Sequence, residues 1–305
     1  MNGYATRPVS GPNGDTLMVD AYPLGFEEND RLRSAFIRDL TLEQLDRSAT
    51  LTPSGLAYGE AVPKTLIRYW HDPSDVPSDV RACLDSWESL REEGFEFRMF
   101  SDMSAEAYIA ERYSTREREA FAHCRHPAMR SDYLRMCFVL AEGGLYVDAD
   151  DVLQGEGWKD IFRNGGLKVQ PLCYDIPTGR MVPANEIWRT DLPINERIFY
   201  VNNDPIAAPA AHPVLRRALS RATERLLDED PFPEIQSTTG PGNLTAALAS
   251  HARELKAAGA PLDFELLYDW EAIAETRWEL SYRSDSRNWR NMDAANSRRR
   301  GETAT

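Results

Sequence analysis

Asp148-Ala149-Asp150 sets two carboxylates one residue apart, directly after the apolar run Leu145-Tyr146-Val147. If residues 145–150 form a strand, its two-residue period puts Tyr146, Asp148 and Asp150 on one face and Leu145 and Val147 on the other. Two like charges at the end of a buried strand are costly unless a cation lies between them. Hard carboxylate oxygens suit Mg2+ or Mn2+, ions that commonly complete their shells with phosphate oxygens. Upstream, the helical pattern of residues 129–141 gathers Leu134, Cys137, Phe138 and Ala141 on one face. It leaves Asp132 and Arg135, three apart, together on the opposite side. By itself that pair also fits a weak surface ion pair. A second D-x-D, Asp228-Glu229-Asp230, stands at a helix end beside Pro231 and reads as a solvated acidic turn.

Periodicity supplies the elements that must position these residues. Residues 63–70 are an apolar run of strand formers, stopped by His71-Asp72-Pro73. Ser78 can cap a helix whose stripe is Val80, Leu84, Trp87 and Leu90, and Gly94 ends it. Residues 95–100 alternate as a strand does. Strand, helix and strand with short turns predict a right-handed βαβ unit with parallel strands. Ligands on such sheets lie beyond the carboxyl ends of the strands, which singles out residues 70–72 and 100–102 as rim positions. Further on, residues 167–173 and 197–201 read as strands, and 213–227 and 244–257 as helices. Residues 278–291 are aromatic and basic with no strong period. At the other end, Leu32, Phe36, Leu40 and Leu45 predict a helix over 31–47, between a Gly- and Pro-rich lead-in and a linker over 50–63.

The chain has 305 residues, 49 acidic against 35 basic side chains, and a formal net charge of -14. At this length a core needs no disulfide or structural metal. The acidity, with no basic run beyond Arg298-Arg299-Arg300, argues against nucleic acid as a partner. It leaves open a phosphorylated ligand bridged by a divalent cation. Cys83, Cys124, Cys137 and Cys173 lie outside metal-ligand spacing and read as reduced core thiols. The five histidines likewise show no ligand spacing and read as structural. No stretch is long and apolar enough to cross a bilayer, and the N-terminus has no secretion signal pattern. The expectation is a cytoplasmic protein, soluble or at most peripheral to a membrane.

The block from Arg130-Ser131-Asp132-Tyr133-Leu134-Arg135 through Glu142-Gly143-Gly144-Leu145-Tyr146-Val147-Asp148-Ala149-Asp150 resembles the DXD-containing sugar-binding region of family 32 glycosyltransferases. That family groups the yeast-type initiating α-mannosyltransferases with many bacterial enzymes, and the clostridial glucosylating toxins share a similar block. Val62-Pro63-Lys64-Thr65-Leu66-Ile67-Arg68-Tyr69-Trp70 resembles the family's first strand, with Arg68-Tyr69 where a His is often found. Trp87 and residues 95–102 are similar to the helix and strand that follow. Thr239-Gly240-Pro241, the His212-Pro213 helix start and the Ser286–Trp289 stretch resemble later features.

The resemblance implies an α/β, GT-A fold, Rossmann-like and nucleotide-sugar-binding, as a single domain over 61–290. An N-terminal helical extension over 1–60 would precede it and a flexible tail over 291–305 would follow. It implies a metal-dependent, retaining hexosyltransferase that uses Mn2+ or Mg2+. The donor would be a UDP- or GDP-sugar and the acceptor a saccharide or other hydroxyl compound, as in polysaccharide biosynthesis. Asp132 and Arg135 would hold ribose and sugar hydroxyls, Asp148 would contact ribose and sugar, and Asp150 would bind the metal directly. Trp70 would flank the base and Tyr146 would line the pocket. Asp285, Ser286 and Trp289 are candidates for a loop closing over metal and diphosphate, with Asp285 a possible third metal ligand. The catalytic set is Asp148, Asp150 and Arg135.

Two other readings compete. Asp148-Ala149-Asp150-Asp151-Val152 also fits the nucleophile loop of a haloacid-dehalogenase-type phosphatase, in which the first Asp attacks phosphorus. That motif normally opens its fold, and a partnering lysine is needed. A degenerate nucleotide-sugar-binding module is the non-enzyme reading, and it predicts damage to the motif, whereas Asp132, Arg135, Asp148 and Asp150 are all present.

Overall fold

The computed structural model describes residues 22–48, 61–187, 189, 194–228, 234–288 and 290. Residues 1–21 of the lead-in, most of the expected linker, Trp289 and the expected tail over 291–305 lie outside the described residues.

The first helix, α1 (Asp30–Ser48), buries Phe36, Ile37 and Leu40 in the main core. It packs on the strand Arg197–Ala208 of the central sheet. Strand β1 (Thr65–Tyr69) is followed by α2 (Ser78–Asp85), a 3-10 turn over Glu88–Arg91 and β2 (Glu96–Phe100). β1 and β2 pair in parallel, as the βαβ reading expects. The helix is shorter than its apolar stripe. It stops at Asp85 because Ser86 and Trp87 turn to the strand after the D-x-D: Leu153 N–H donates to Ser86 Oγ at 3.1 Å, and Trp87 Nε1 donates to Asp151 O at 3.0 Å.

Two helices without a strong apolar period come next, α3 (Asp102–Arg112) and α4 (Thr115–His123), each opened by a serine capping box. The helix α5 (Pro127–Glu142) is buried over most of its length rather than amphipathic, and Asp132 and Arg135 are inside the protein with it. His126 caps α5: its Nδ1 accepts Ala128 N–H, and Nε2–H donates to Ser286 O at 3.0 Å. The chain then enters β3 (Gly144–Tyr146), which pairs in parallel with β1.

After β4 (Asp151–Leu153) come β5 (Leu167–Asp175), β6 (Arg180–Met181), β7 (Arg197–Ala208), α6 (Pro213–Leu227), α7 (Ile235–Thr238), α8 (Pro241–Ala257), β8 (Phe264–Leu266), α9 (Trp270–Ile273) and β9 (Ala274–Thr276). The seven-stranded sheet runs β2-β1-β3-β7-β5-β6, with β8 also on β5. It is mixed: β7 is antiparallel to β3 and β5, while β8 is parallel to β5. Because β7 runs against β3, Asn202–Asp204 precede the paired residues and lie at the carboxyl end of β3. Leu66 pairs with Leu145 and Ile67 with Tyr146, so alternate residues serve opposite layers. Helices α1, α5, α6 and α8 cover one face, and Trp87, Trp158 and Trp270 the other. Asn243, which opens an Asn-Leu-Thr glycosylation triplet, is fully buried in α8 and donates to Ala218 O at 2.9 Å, so it is not accessible for modification. Among the described residues no helix is long and apolar enough to cross a membrane.

β3 can thread between β1 and β7 only with small residues at its start. Gly144 has φ +124°, and a Cβ there would stand 2.7 Å from Ile67 Cδ1 and 2.8 Å from Thr65 O. Gly144→Ala therefore combines backbone strain with overpacking beneath the site. It is expected to lower unfolding free energy by about 2 kcal/mol or more in urea titration.

Candidate active site

The apolar run after Gly144 stays a strand only to Tyr146; Asp148 lies in irregular chain and Ala149-Asp150 in a turn. The carboxylates therefore leave the sheet at its carboxyl edge. Both line a cleft of about 960 Å³ together with Trp70, Asp132, Arg135 and, from the later segment, Trp278, Tyr282, Arg283 and Arg287. β9 pairs antiparallel with β4, Asp151 opposite Thr276, and that pairing carries the later segment back over the D-x-D.

Arg135 organises the inner wall. Its guanidinium, 3% exposed, lies 4.0 Å over the Tyr146 ring. It donates to Asp148 Oδ1 at 2.8 Å and to Asn203 O at 2.6 Å, and approaches Asp132 Oδ1 at 3.2 Å. Tyr146 donates its hydroxyl to the same Asp148 oxygen at 2.8 Å and accepts from Ser131 Oγ at 2.6 Å. Asp132 in turn accepts from Asn203 Nδ2 at 2.8 Å and from Thr239 Oγ1 at 3.1 Å. The Thr239-Gly240-Pro241 turn is thus tied to the cleft through Asp132. Burial works against the charge on Arg135, but Asp148, Tyr146 and Asp132 outweigh it and hold the guanidinium firmly protonated. Burial pushes Asp132 up to about 6, against the pull of Arg135.

Behind the cleft lie further acids. Asp204 accepts Asp148 N–H at 2.9 Å, and burial, with Asp151 next, raises its pKa far above the usual carboxylate range. Burial followed by Asp150 lifts Asp151 to about 7. Arg68 lies 4.9 Å over the Trp87 ring and is brought down to about 10 by burial, against the pull of Asp151 and Asp204. Arg68, the position at which the sequence departs from the family pattern, therefore belongs to the packing beneath the site.

Asp150 meets a cation from the returning segment. Arg283 forms an ion pair with its Oδ2, and Tyr282 donates to the same oxygen at 2.7 Å. Burial, then Asp148, raises the Asp150 pKa, with Arg283 opposing. Trp70 lines the cleft, donates Nε1–H to Asp75 O at 2.9 Å and meets the Tyr282 ring edge-on at 5.4 Å.

The structure brings Asp132, Arg135, Asp148, Asp150 and Trp70 to one cavity and places Tyr146 beneath it as support, with no exposed surface. It does not bring Asp285 to the carboxylate pair: Arg287 binds that side chain through Nε and Nη2, the latter at 2.7 Å. Ser286 is exposed and contributes its carbonyl to His126. Trp289 lies outside the described residues. Sequence reasoning missed Asn203, Asp204, Tyr282 and Arg283, since neither spacing nor period sets them apart. No lysine lines the cleft among the described residues; Lys168, for instance, donates to Asn164 O at 2.9 Å.

A divalent cation fits this donor set. Asp148 and Asp150 present hard oxygen ligands, and the guanidinium on Asp150 shows that the position calls for a positive charge. Among the described residues no group of three or more His, Cys, Asp or Glu side chains could hold a metal unaided. A cation here would complete its shell from a phosphate ligand and water, as Mg2+ does in phosphate sites.

Residues 77–161 match the model of a family described as a glycosyltransferase sugar-binding region containing the DXD motif. The segment includes Asp132, Arg135, Asp148 and Asp150, so the D-x-D block of this chain is glycosyltransferase-like. Among solved structures the chain is similar to one titled PaToxG Glycosyltransferase, at 16% identity and a TM-score of 0.41, over 81% of this chain and 94% of that one. No curated protein matches the chain.

A raised carboxylate pKa has a definite sign in stability. Asp132 holds its proton to about pH 6 when folded, against about 3.8 by its ordinary value. The unfolded chain therefore loses the proton first, and the folded state loses relative stability as pH rises from 4 to 6.5. Asp132→Asn removes the titration. The stability of wild type minus that of Asp132→Asn should fall by up to about 3 kcal/mol across this range in denaturant titrations.

Proposed function

We propose that this protein is a metal-dependent glycosyltransferase that moves a hexose from a UDP- or GDP-sugar to a hydroxyl acceptor, with retention at the anomeric carbon. One observation carries the reading. The glycosyltransferase-like block over 77–161 delivers Asp148 and Asp150 to the mouth of a cleft whose inner wall is the Arg135–Asp132 network.

In this reading Asp132 accepts hydrogen bonds from ribose or sugar hydroxyls while Asn203 and Thr239 fix its orientation. Arg135 and Tyr146 together hold Asp148 in one rotamer, so that its second oxygen is presented to the donor. Trp70, with Tyr282 against its edge, forms the wall beside the base. Asp150, with Asp148 next to it, would hold Mn2+ or Mg2+, which when bound would supply Lewis-acid charge to the diphosphate leaving group. Arg283 leaves Asp150 when the donor arrives and turns to the phosphates, where its positive charge opposes the negative charge that develops there. Arg287, 6.0 Å from the Trp70 ring, lies on the same segment and closes with it. Asp285 stays with Arg287, while Ser286 extends the closing segment.

Thermal shift tests this reading. UDP- and GDP-sugars with and without Mn2+ are compared on wild type and Asp150→Asn, each against its own baseline. Stabilisation of a few degrees by one nucleotide-sugar, requiring Mn2+ and absent from the variant, is the expected result. No nucleotide response, together with turnover of a phosphate monoester, would replace this reading with the phosphatase.

A further inference from the structure

The outer part of the cleft is built differently from the inner part. Leu172 pairs with Tyr200, and Tyr174 with both Ile198 and Met181, so these five side chains share one face of the β6-β5-β7 sheet. Leu172, Tyr174, Met181 and Tyr200 line the cleft; Ile198 continues the face just outside it. Gln170 and Asn202 stand on the same face nearer the carboxylates, joined at 3.4 Å, and Asn203 and Asp204 follow at once. From Gln170 to Tyr174 the strip runs for about 13 Å along the strand. It is polar beside the D-x-D; farther out its side chains are uncharged and mainly apolar, with the Tyr174 and Tyr200 rings on the strip and Arg290 beside Tyr200. At its outer end Met181 is 41% and Ile198 45% exposed. The Tyr200 hydroxyl has a thioether, Met181 Sδ at 3.6 Å, as its partner.

We infer that the acceptor is a hydroxyl compound carried on an apolar aglycone, an alkyl glycoside in chemical class, rather than a free sugar. The inference rests on the transfer reading of this cleft. The hydroxyl-bearing head meets Gln170 and Asn202 next to the carboxylates, and the hydrocarbon lies along Leu172, Tyr174, Tyr200, Met181 and Ile198. A saccharide chain there would surrender hydration to Leu172, Met181 and Ile198, with only the Tyr174 and Tyr200 hydroxyls to return hydrogen bonds. An apolar chain loses only water contacts, and it covers a strip that is costly to leave exposed. Continuity with the carboxylate end of the cleft is what selects an acceptor over an unrelated partner.

The experiment compares n-octyl and methyl β-glucosides, the former below its micelle concentration. Binding is read by saturation-transfer NMR on wild type and on Met181→Ser/Ile198→Ser. Both substitutions are at exposed positions, so the fold should persist, and circular dichroism checks it. A tenfold or greater preference for the octyl compound, with transfer from wild type to its alkyl protons, is expected, and the preference should collapse in the double variant. Equal binding of the two glucosides, or a preference that survives the double variant, overturns the inference. The nucleotide-sugar response of wild type is recorded alongside. Octyl preference without any donor response would sink the transfer reading and the acceptor assignment with it, whereas a donor response without octyl preference sinks the acceptor assignment alone.

Discussion

Arg135 is the charge around which this structure is arranged. Asp132 and Asp204, both buried, and the half-buried Asp148 gather at the carboxyl edge of the sheet, where like charges repel strongly. A guanidinium buried with them contacts the first two and a β7 carbonyl together. Removing it would leave buried carboxylates uncompensated, which costs far more than a surface pair is worth. The helix that carries it is consequently central and buried, and the pair that resembles a surface ion pair in sequence is the inner wall of the cleft.

Other features follow from that constraint. β3 has to bring Asp148 within reach of Arg135, so it runs between β1 and β7, and its opening glycine lets it fit. β7 runs antiparallel so that Asn203 and Asp204 arrive at the same edge. Asp150 lies one turn beyond the reach of Arg135, and its compensation comes from Arg283, brought back by the β4–β9 pairing. A charge supplied by a side chain on a returning segment can be exchanged for another cation. One supplied by Arg135, locked by several hydrogen bonds, cannot.

Much of this was legible from spacing. The parallel β1–α2–β2 unit, the helices over 213–227 and 244–257, and the convergence of Asp132, Arg135, Asp148 and Asp150 follow from period and motif. Others were not, for physical reasons. A helix buried on all sides has no amphipathic signal, so α5 read as half exposed. Strand pairing stops at Tyr146 because the chain turns to direct Asp150 into the cleft, and period alone does not reveal where a ladder ends. Asp204 and Arg283 act through contacts 56 and 133 residues away in sequence, and α3 and α4 are defined more by serine caps than by an apolar stripe. Trp289, expected in the loop closing over metal and diphosphate, lies outside the described residues.

The central claim is that Asp150 exchanges its guanidinium for a metal–diphosphate ligand in order to transfer a sugar. Release of nucleoside diphosphate from a panel of UDP- and GDP-sugars, followed with Mn2+ and with chelator on wild type and Asp150→Asn, tests it most directly. The account predicts turnover of one donor that requires the metal and falls at least a hundredfold in the variant, in line with the loss of a charge-stabilising group. Turnover unchanged by chelator, or retained by Asp150→Asn, would contradict it.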